Sequence, residues 1–270
     1  MNQESLIAKN LAGLTGALES VILNEELANT QGLLQSLDAR VKAFSCVLLI
    51  VTVGLSHSWL NLAAVFVLVL LWVAAARISL WFFLKRILLF LPFTAIIAIP
   101  ALFITPGDAW VHIGGVAITA QGAHTAGFLL LRVMDSISCG LLLILTTPWN
   151  KLLLALRWFR LPAILVDIMG MTYRYIFLLL HSTNALFLSR RSRTLGTFSG
   201  SENRRWLTRA LGSTLAKSQH LSEEVYSAML SRGYQGEIYS LSRLQFQRRD
   251  FIGLVLILLT AAILLWSTYR

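Results

Sequence analysis

Long apolar stretches separated by short polar connections make up most of this chain. A helix needs about 20 apolar residues to cross the hydrocarbon core of a bilayer, and shorter runs reach that span by tilting or with the help of flanking residues. The pattern predicts an all-α integral membrane protein with about five transmembrane helices. The five runs are Ala43–Leu55, Trp59–Ala76, Ile87–Ile104, Ala126–Thr147 and Phe251–Trp266.

The first 42 residues have a different pattern. Leu11, Leu14, Leu18 and Ile22 recur at helical spacing among polar residues. This spacing predicts an amphipathic helix lying at the membrane interface. The segment has no basic start followed by an apolar core, so no cleavable signal is expected.

A sixth apolar stretch, Ala163–Leu188, carries three ionisable residues. Asp167, Arg174 and His181 are seven apart and therefore share one face of a helix. Burying those charges in lipid would cost several kcal/mol each. The stripe suits a helix that lies shallow on the cytoplasmic side or packs in a protein interface, and we expect it on the cytoplasmic side. The predicted division is an amphipathic segment over 1–42, four transmembrane helices over 43–161, cytoplasmic-side helices over 162–250 and a last transmembrane helix over 251–270.

Composition and charge support this arrangement. The chain is 56% hydrophobic and 13% charged, whereas soluble domains average about 25% charged residues. The net charge is +10, and residues 189–249 hold 11 Lys and Arg against 4 Asp and Glu. Basic residues accumulate on the cytoplasmic side of membrane proteins, so this excess indicates orientation and not nucleic-acid binding. The amino terminus is then cytoplasmic, and the connection 105–123, with Asp108 and no Lys or Arg, faces outward.

Ionisable residues inside membrane segments are the first candidates for chemistry. Arg132 and Asp135 are three apart and can pair on one helix face. Asp135, Cys139 and His124 could instead line a metal path, although an internal ion pair beside a buried thiol is the favoured interpretation. The sequence has no phosphate-binding loop, dinucleotide fingerprint or nucleophile elbow. We therefore expect neither enzymatic activity, nor a cofactor, nor a resident metal.

The long polar region contains two runs that end on an arginine. One ends on Ser192-Arg193-Thr194 and the other on Ser231-Arg232-Gly233. A glycine just past a helix end is the usual left-handed cap, so both runs could be ordinary capped helices. Alternatively, each guanidinium could project into an acidic groove of a partner, because its planar fork pairs bidentately with carboxylates. Spacing alone leaves both interpretations open.

Five motifs occur in one order along the chain and together resemble a known family. They are LDARVK (37–42), TTPWNKLLLALRWFRLP (146–162), MTYRYIFLL (171–179), RRSRT (190–194) and AMLSRGY (228–234). In this order they resemble the T component of energy-coupling-factor transporters, the CbiQ/EcfT family. Ala39 stands where the family has proline, and Ser231 stands where the second family signature has alanine.

The resemblance implies a transport scaffold in the bacterial cytoplasmic membrane. Its coupling helices would dock on two ATP-binding-cassette ATPase subunits through Arg193 and Arg232, and it would contact an integral membrane substrate-binding subunit. The cargo implied by the closest branch is cobalt. Two alternatives remain. One is an ordinary ABC importer permease, and the other is a membrane enzyme or metal-conducting secondary transporter that uses Arg132, Asp135, Asp167 and Arg174.

Overall fold

A computed structural model describes residues 34–106, 109–113, 116–193, 200–236 and 247–269, together with 13, 16, 25, 28, 32 and 238. The predicted amphipathic helix over 1–42 therefore falls almost entirely outside the described residues. The described elements are α1 (Ala39–Leu55), α2 (Trp59–Ala75), α3 (Leu80–Ile104), β1 (Ala109–Ile113), β2 (Val116–Thr119), α4 (Ala120–Thr146), α5 (Trp149–Trp158), α6 (Ala163–Arg193), α7 (Gly200–Ser231) and α8 (Arg248–Tyr269).

The prediction of a helical, multi-pass membrane protein is confirmed. Within the described ranges, four helices are long and apolar enough to cross a bilayer, and Trp59–Ala75 is a shorter apolar helix. The four are Leu80–Phe103, Ala120–Thr146, Ala163–Arg190 and Arg248–Thr268. The third belongs to α6, which therefore meets the length and composition requirement for crossing. Its assignment to the cytoplasmic side remains a prediction.

Helix α3 begins seven residues before the predicted run. Leu80 to Leu84 are mostly apolar, so the helix continues through Lys85 and Arg86. The Arg86 guanidinium lies 4.4 Å from the centre of the Phe82 ring. This is a cation–π contact, in which the aromatic face attracts the positive charge. Pro92 and Pro100 both lie inside the helix, and neither ends it.

The connection between α3 and α4 contains a hairpin that the apolar pattern did not predict. Strands β1 and β2 pair antiparallel, with Ile113 opposite Val116. Thr119 closes the hairpin onto the helices, because its hydroxyl donates to the Thr105 carbonyl at 2.9 Å and accepts from the Gly122 N–H at 3.0 Å. A Cβ at Gly122 would lie 2.6 Å from the Leu102 carbonyl oxygen, so only glycine permits this approach of α3 and α4.

Residues 25–155 and 244–270 form one compact unit. Helix α4 is its centre and packs against α1, α2 and α3, while α8 packs against α1 and α2. The core includes Leu49, Leu62 and Leu145. Cys46 and Cys139 are buried and free.

Buried polar side chains connect α8 to the rest of this unit. Asn61 of α2 is 2% exposed. Its amide donates to the Leu264 carbonyl at 3.0 Å and to the Thr268 hydroxyl at 2.8 Å, and its oxygen accepts from the Ser267 hydroxyl at 2.6 Å. Because buried polar groups are costly unless bonded, these bonds fix α8 against α2.

A buried carboxylate joins the first turns of α1 and α8. Asp250, which is 1% exposed, accepts from the Asp38 N–H and from the Gln247 N–H, both at 2.7 Å. Asp38 in turn caps α1 by accepting from the Arg40 N–H at 2.9 Å. The LDARVK motif also places Lys42 in this region, and its ammonium donates to the Thr146 carbonyl at 2.9 Å. One motif thus connects α1 to α4 and α8.

Residues 156–243, with 1–24, form the second compact unit, which contains α6 and α7. Helix α7 is continuous across Gly212 and has no buried residue. Leu211 and Leu215 are 65% and 69% exposed, whereas Trp206, Thr214 and Leu221 are half-buried.

Candidate coupling site

The end of α7 is a complete Schellman cap. The Tyr234 N–H donates to the Met229 carbonyl and the Gly233 N–H donates to the Leu230 carbonyl, both at 3.0 Å. Gly233 has φ +81°, the left-handed conformation that glycine adopts without a steric penalty. This confirms the predicted cap at Gly233. It also makes Arg232 the C-cap residue, with its side chain exposed.

Short bonds also order the residues beside Arg232. The Ser231 hydroxyl donates to the Ser227 carbonyl at 2.9 Å, which keeps the last helical turn closed. Gly236 has φ +98°, so the chain turns again three residues beyond Gly233. Arg232 is therefore presented on a defined bend, not on a fraying helix end.

The same cap occurs at the end of α5 with a different residue in the left-handed position. Arg160 has φ +63°. Its N–H donates to the Arg157 carbonyl at 3.1 Å, and the Leu161 N–H donates to the Leu156 carbonyl at 3.4 Å. A non-glycine residue pays a steric penalty of about 1–2 kcal/mol for this conformation. The penalty is absent at Gly233.

Two side chains hold the backbone of Ile238, six residues after Arg232. The Asp167 carboxylate of α6 accepts from the Ile238 N–H at 3.0 Å. The Arg157 guanidinium of α5 donates to the Ile238 carbonyl at 2.9 Å. Asp167 is half-buried, and its carboxylate is bonded to the backbone of Ile238. Of the predicted polar face of α6, Arg174 and His181 are exposed.

The other arginine-tipped end is the end of α6, whose last residue is Arg193. Arg193 is exposed, and the Ser192 hydroxyl donates to the Ser189 carbonyl at 3.0 Å. Thr194 lies outside the described residues. Arg190, one turn earlier, donates to the Asn203 side-chain oxygen at 2.7 Å and lies 4.3 Å from the centre of the Trp206 ring. Arg190 is thus occupied within this unit, which favours Arg193 as the arginine available to a partner.

Arg193 and Arg232 lie near opposite ends of α7. The start of α7 packs on the end of α6, where the rings of Phe187 and Trp206 are 4.9 Å apart. Helix α7 has 32 residues, which corresponds to a length of about 48 Å at 1.5 Å per residue. Arg193 and Arg232 are therefore presented at separate places, about one helix length apart along α7.

The predicted ion pair between Arg132 and Asp135 is wrong. Asp135 is fully buried, and neither of its carboxylate oxygens has a hydrogen-bond partner among the described residues. Arg132 instead donates to the Ser56 carbonyl and lies 4.9 Å from the centre of the Phe128 ring. The spacing permitted a pair, but the turn between α1 and α2 offers Arg132 a carbonyl acceptor.

The residues considered for a metal path do not converge. In the described part of the chain, no group of three or more His, Cys, Asp and Glu side chains is placed to hold a metal ion. His124 accepts from the Trp59 indole N–H at 2.5 Å, at the junction of α2 and α4.

Sequence reasoning missed Asp250 and the role of Arg157. Asp250 lies three residues after Gln247, the spacing of a capping box, so its local bond could have been anticipated. Its second bond, to Asp38, joins residues 212 apart in the chain and has no local signal.

Comparison with known proteins decides the family. A family model described as cobalt transport protein, CbiQ, matches residues 31–241, which include both arginine-tipped ends. The chain belongs to the CbiQ family. This confirms the resemblance drawn from the five motifs. A CbiQ protein is a membrane component of a transporter and not an enzyme by itself.

Three relatives show how the similarity is distributed. An uncharacterized protein of Methanocaldococcus jannaschii is 34% identical over 269 residues, covering 97% of this CbiQ chain and 92% of the relative. The cobalt transport protein CbiQ of Rhodobacter capsulatus is 30% identical over 174 residues, covering 62% and 70%. The energy-coupling factor transporter transmembrane protein EcfT of Staphylococcus aureus is 29% identical over 249 residues, covering 86% and 92%.

Proposed function

We propose that this chain is the transmembrane coupling component of an energy-coupling-factor importer. It links two ATP-binding-cassette ATPase subunits to an integral membrane subunit that binds the substrate. The observation that carries the proposal is the presence of two exposed arginines, Arg193 and Arg232, at helix ends separated by the length of α7. A single chain with two separate contacts suits a pair of partners. The name of the Staphylococcus aureus relative supports the same class of transporter.

In this proposal Arg193 and Arg232 each insert a guanidinium into an acidic groove of one ATPase. A guanidinium suits this task because it stays charged and pairs bidentately with carboxylates. Ser192 and Thr194 flank the first arginine. Ser231 and Gly233 flank the second, and the Gly233 cap sets the direction in which Arg232 leaves the helix.

We assign the chain to the bacterial cytoplasmic membrane, with residues 162–250 on the cytoplasmic face. The excess of basic residues over 189–249, 11 against 4 acidic ones, supports this orientation. The ATPases that would bind Arg193 and Arg232 use cytoplasmic ATP, so both arginines must face the cytoplasm in this proposal.

Cobalt ion is the proposed cargo. The description of the matching family model and the name of the Rhodobacter capsulatus relative both specify cobalt transport. The cargo would be bound by the separate substrate-binding subunit, so this chain needs no metal ligands of its own.

A metal-conducting secondary transporter is the second candidate, and one observation favours it. Asp135 is fully buried in α4 without a hydrogen-bond partner among the described residues. An ionisable residue in such a place is a functional candidate by default. This candidate predicts that transport depends on Asp135 and not on the arginine-tipped ends.

Alanine substitution of the two arginines tests the proposal. The chain is co-expressed with its ATPases and its substrate-binding subunit, and ATPase co-purification and cobalt uptake are measured. We expect Arg193→Ala and Arg232→Ala each to weaken ATPase association, with the double variant weakest. Arg209→Ala is the matched control, because Arg209 is exposed on α7 between the two ends. Normal assembly and uptake by the double variant would refute the proposal.

A further inference from the structure

The segment after Arg232 returns to the start of α6 and is fastened there. Between Gly233 and Ile238 the chain turns twice, at the positive φ angles of Gly233 and Gly236. Glycines lose more conformational entropy on ordering than other residues, so this segment needs external bonds to hold one shape. Ile238 receives two such bonds, one at its N–H and one at its carbonyl.

We propose that Asp167 and Arg157 are positioning residues that form a latch on the Ile238 backbone and thereby fix the direction in which Arg232 is presented. This inference rests on the proposed coupling role of Arg232. Neither side chain would touch the ATPase. They act through the four residues, 234–237, that join Gly233 to Ile238.

The geometry explains why two charged groups are used. A carboxylate accepts from the N–H and a guanidinium donates to the carbonyl of the same residue, so both backbone groups of Ile238 are held. Hydrogen bonds with one ionised partner are stronger than neutral ones. Arg157 comes from the last turn of α5 and Asp167 from the second turn of α6. The latch therefore ties the exit of α7 to the corner between α5 and α6.

The latch gives a structural reason for a carboxylate among apolar neighbours. Asp167 is half-buried near the start of α6, where a carboxylate without a partner would be costly. Its bond to the Ile238 N–H supplies a partner. Arg174, two turns further along α6, is exposed and takes no part in the latch.

The test combines two backgrounds with two readouts. Asp167→Ala, Asp167→Asn and Arg157→Ala are made in the assembled transporter in lipid nanodiscs, with native Arg232 and with Arg232→Ala. The first readout is the dissociation constant for the ATPases. The second is the mobility of a spin label on Gln235→Cys, a position that is exposed. Glu223→Ala, which removes an exposed carboxylate from α7, is the control.

With native Arg232, we expect Asp167→Ala to weaken ATPase binding about fivefold, the net size of one ordinary solvent-exposed hydrogen bond. The label at residue 235 should become more mobile. Asp167→Asn keeps one acceptor oxygen and should restore much of both readouts. In the Arg232→Ala background, Asp167→Ala should change ATPase binding by less than about twofold, because the Arg232 guanidinium that Asp167 positions is absent.

Two results would overturn the inference. One is an equal loss of binding in both backgrounds, which would mean that Asp167 acts on folding and not through Arg232. The other is an unchanged label mobility in Asp167→Ala. If Arg232→Ala alone binds the ATPases normally, the proposed coupling role is wrong. The mobility of the label still decides in that case whether Asp167 holds the segment.

Discussion

Replacing Asp250 should destabilise the unit that contains α1–α4 and α8. Its buried carboxylate accepts from the Asp38 N–H and the Gln247 N–H, both at 2.7 Å, and Asp250→Ala removes both bonds. The Asp38 bond joins two buried residues and is worth about 1.5–3 kcal/mol, as hydrogen bonds to charged groups are. The Gln247 bond is part of a helix cap and adds about 1 kcal/mol. We expect a loss of about 3 kcal/mol in the free energy of unfolding.

The assay is thermal unfolding of the purified chain in nanodiscs, followed by tryptophan fluorescence. For a unit of this size, 1 kcal/mol shifts the Tm by about 2–4 °C, so Asp250→Ala should lower the Tm by about 6–12 °C. Asp250→Asn should lower it by less, because one acceptor oxygen remains. Glu223→Ala, which removes an exposed carboxylate, should leave the Tm within about 1 °C. An Asp250→Ala variant within about 2 °C of the native chain would refute the reasoning.

Two further predictions concern helix caps and a buried carboxyl. Gly233→Ala forces a side chain into a φ of +81° and should cost about 1 kcal/mol, whereas Arg160→Gly, at φ +63°, should gain about 0.5 kcal/mol. Opposite shifts in Tm check this pair, and shifts of the same sign would contradict it. Asp135→Asn should change the Tm by less than about 2 °C, because Asp135 has no hydrogen-bond partner to lose among the described residues. Cobalt uptake by this variant should be unchanged, and lost uptake with intact assembly would favour the secondary transporter.

Apolar run length was enough to predict α1–α4 and α8, because burial in lipid demands long apolar runs wherever the chain crosses. The hairpin of β1 and β2 was missed for the same reason. It lies in a connection that apolar run length treats as a gap, although Val, Ile and Trp flank Gly114-Gly115 in the sequence. The start of α3 was misplaced because the predicted run began at Ile87, after the charged Lys85 and Arg86, whereas Arg86 lies inside the helix and packs on Phe82.

In the candidate site, contacts between residues close in sequence were predicted, and contacts between distant residues were not. The Gly233 cap involves residues a few positions apart, so the sequence predicted it. The bond between Asp167 and Ile238 joins residues 71 apart, and the sequence offered only a charge on an apolar helix. The pairing of Arg132 with Asp135 failed because helical spacing makes a contact possible without deciding between rival partners.

The exposure of α7 affects the stability of the protein before it assembles with partners. The helix runs for 32 residues without a single buried one, so its own folding gains little free energy from burial. Its stability then depends by mass action on whatever binds it. An unassembled copy would present α7 to proteases as an easily opened substrate, and a partner would protect it. We therefore expect the abundance of the chain to follow that of its partners, with unassembled copies degraded first.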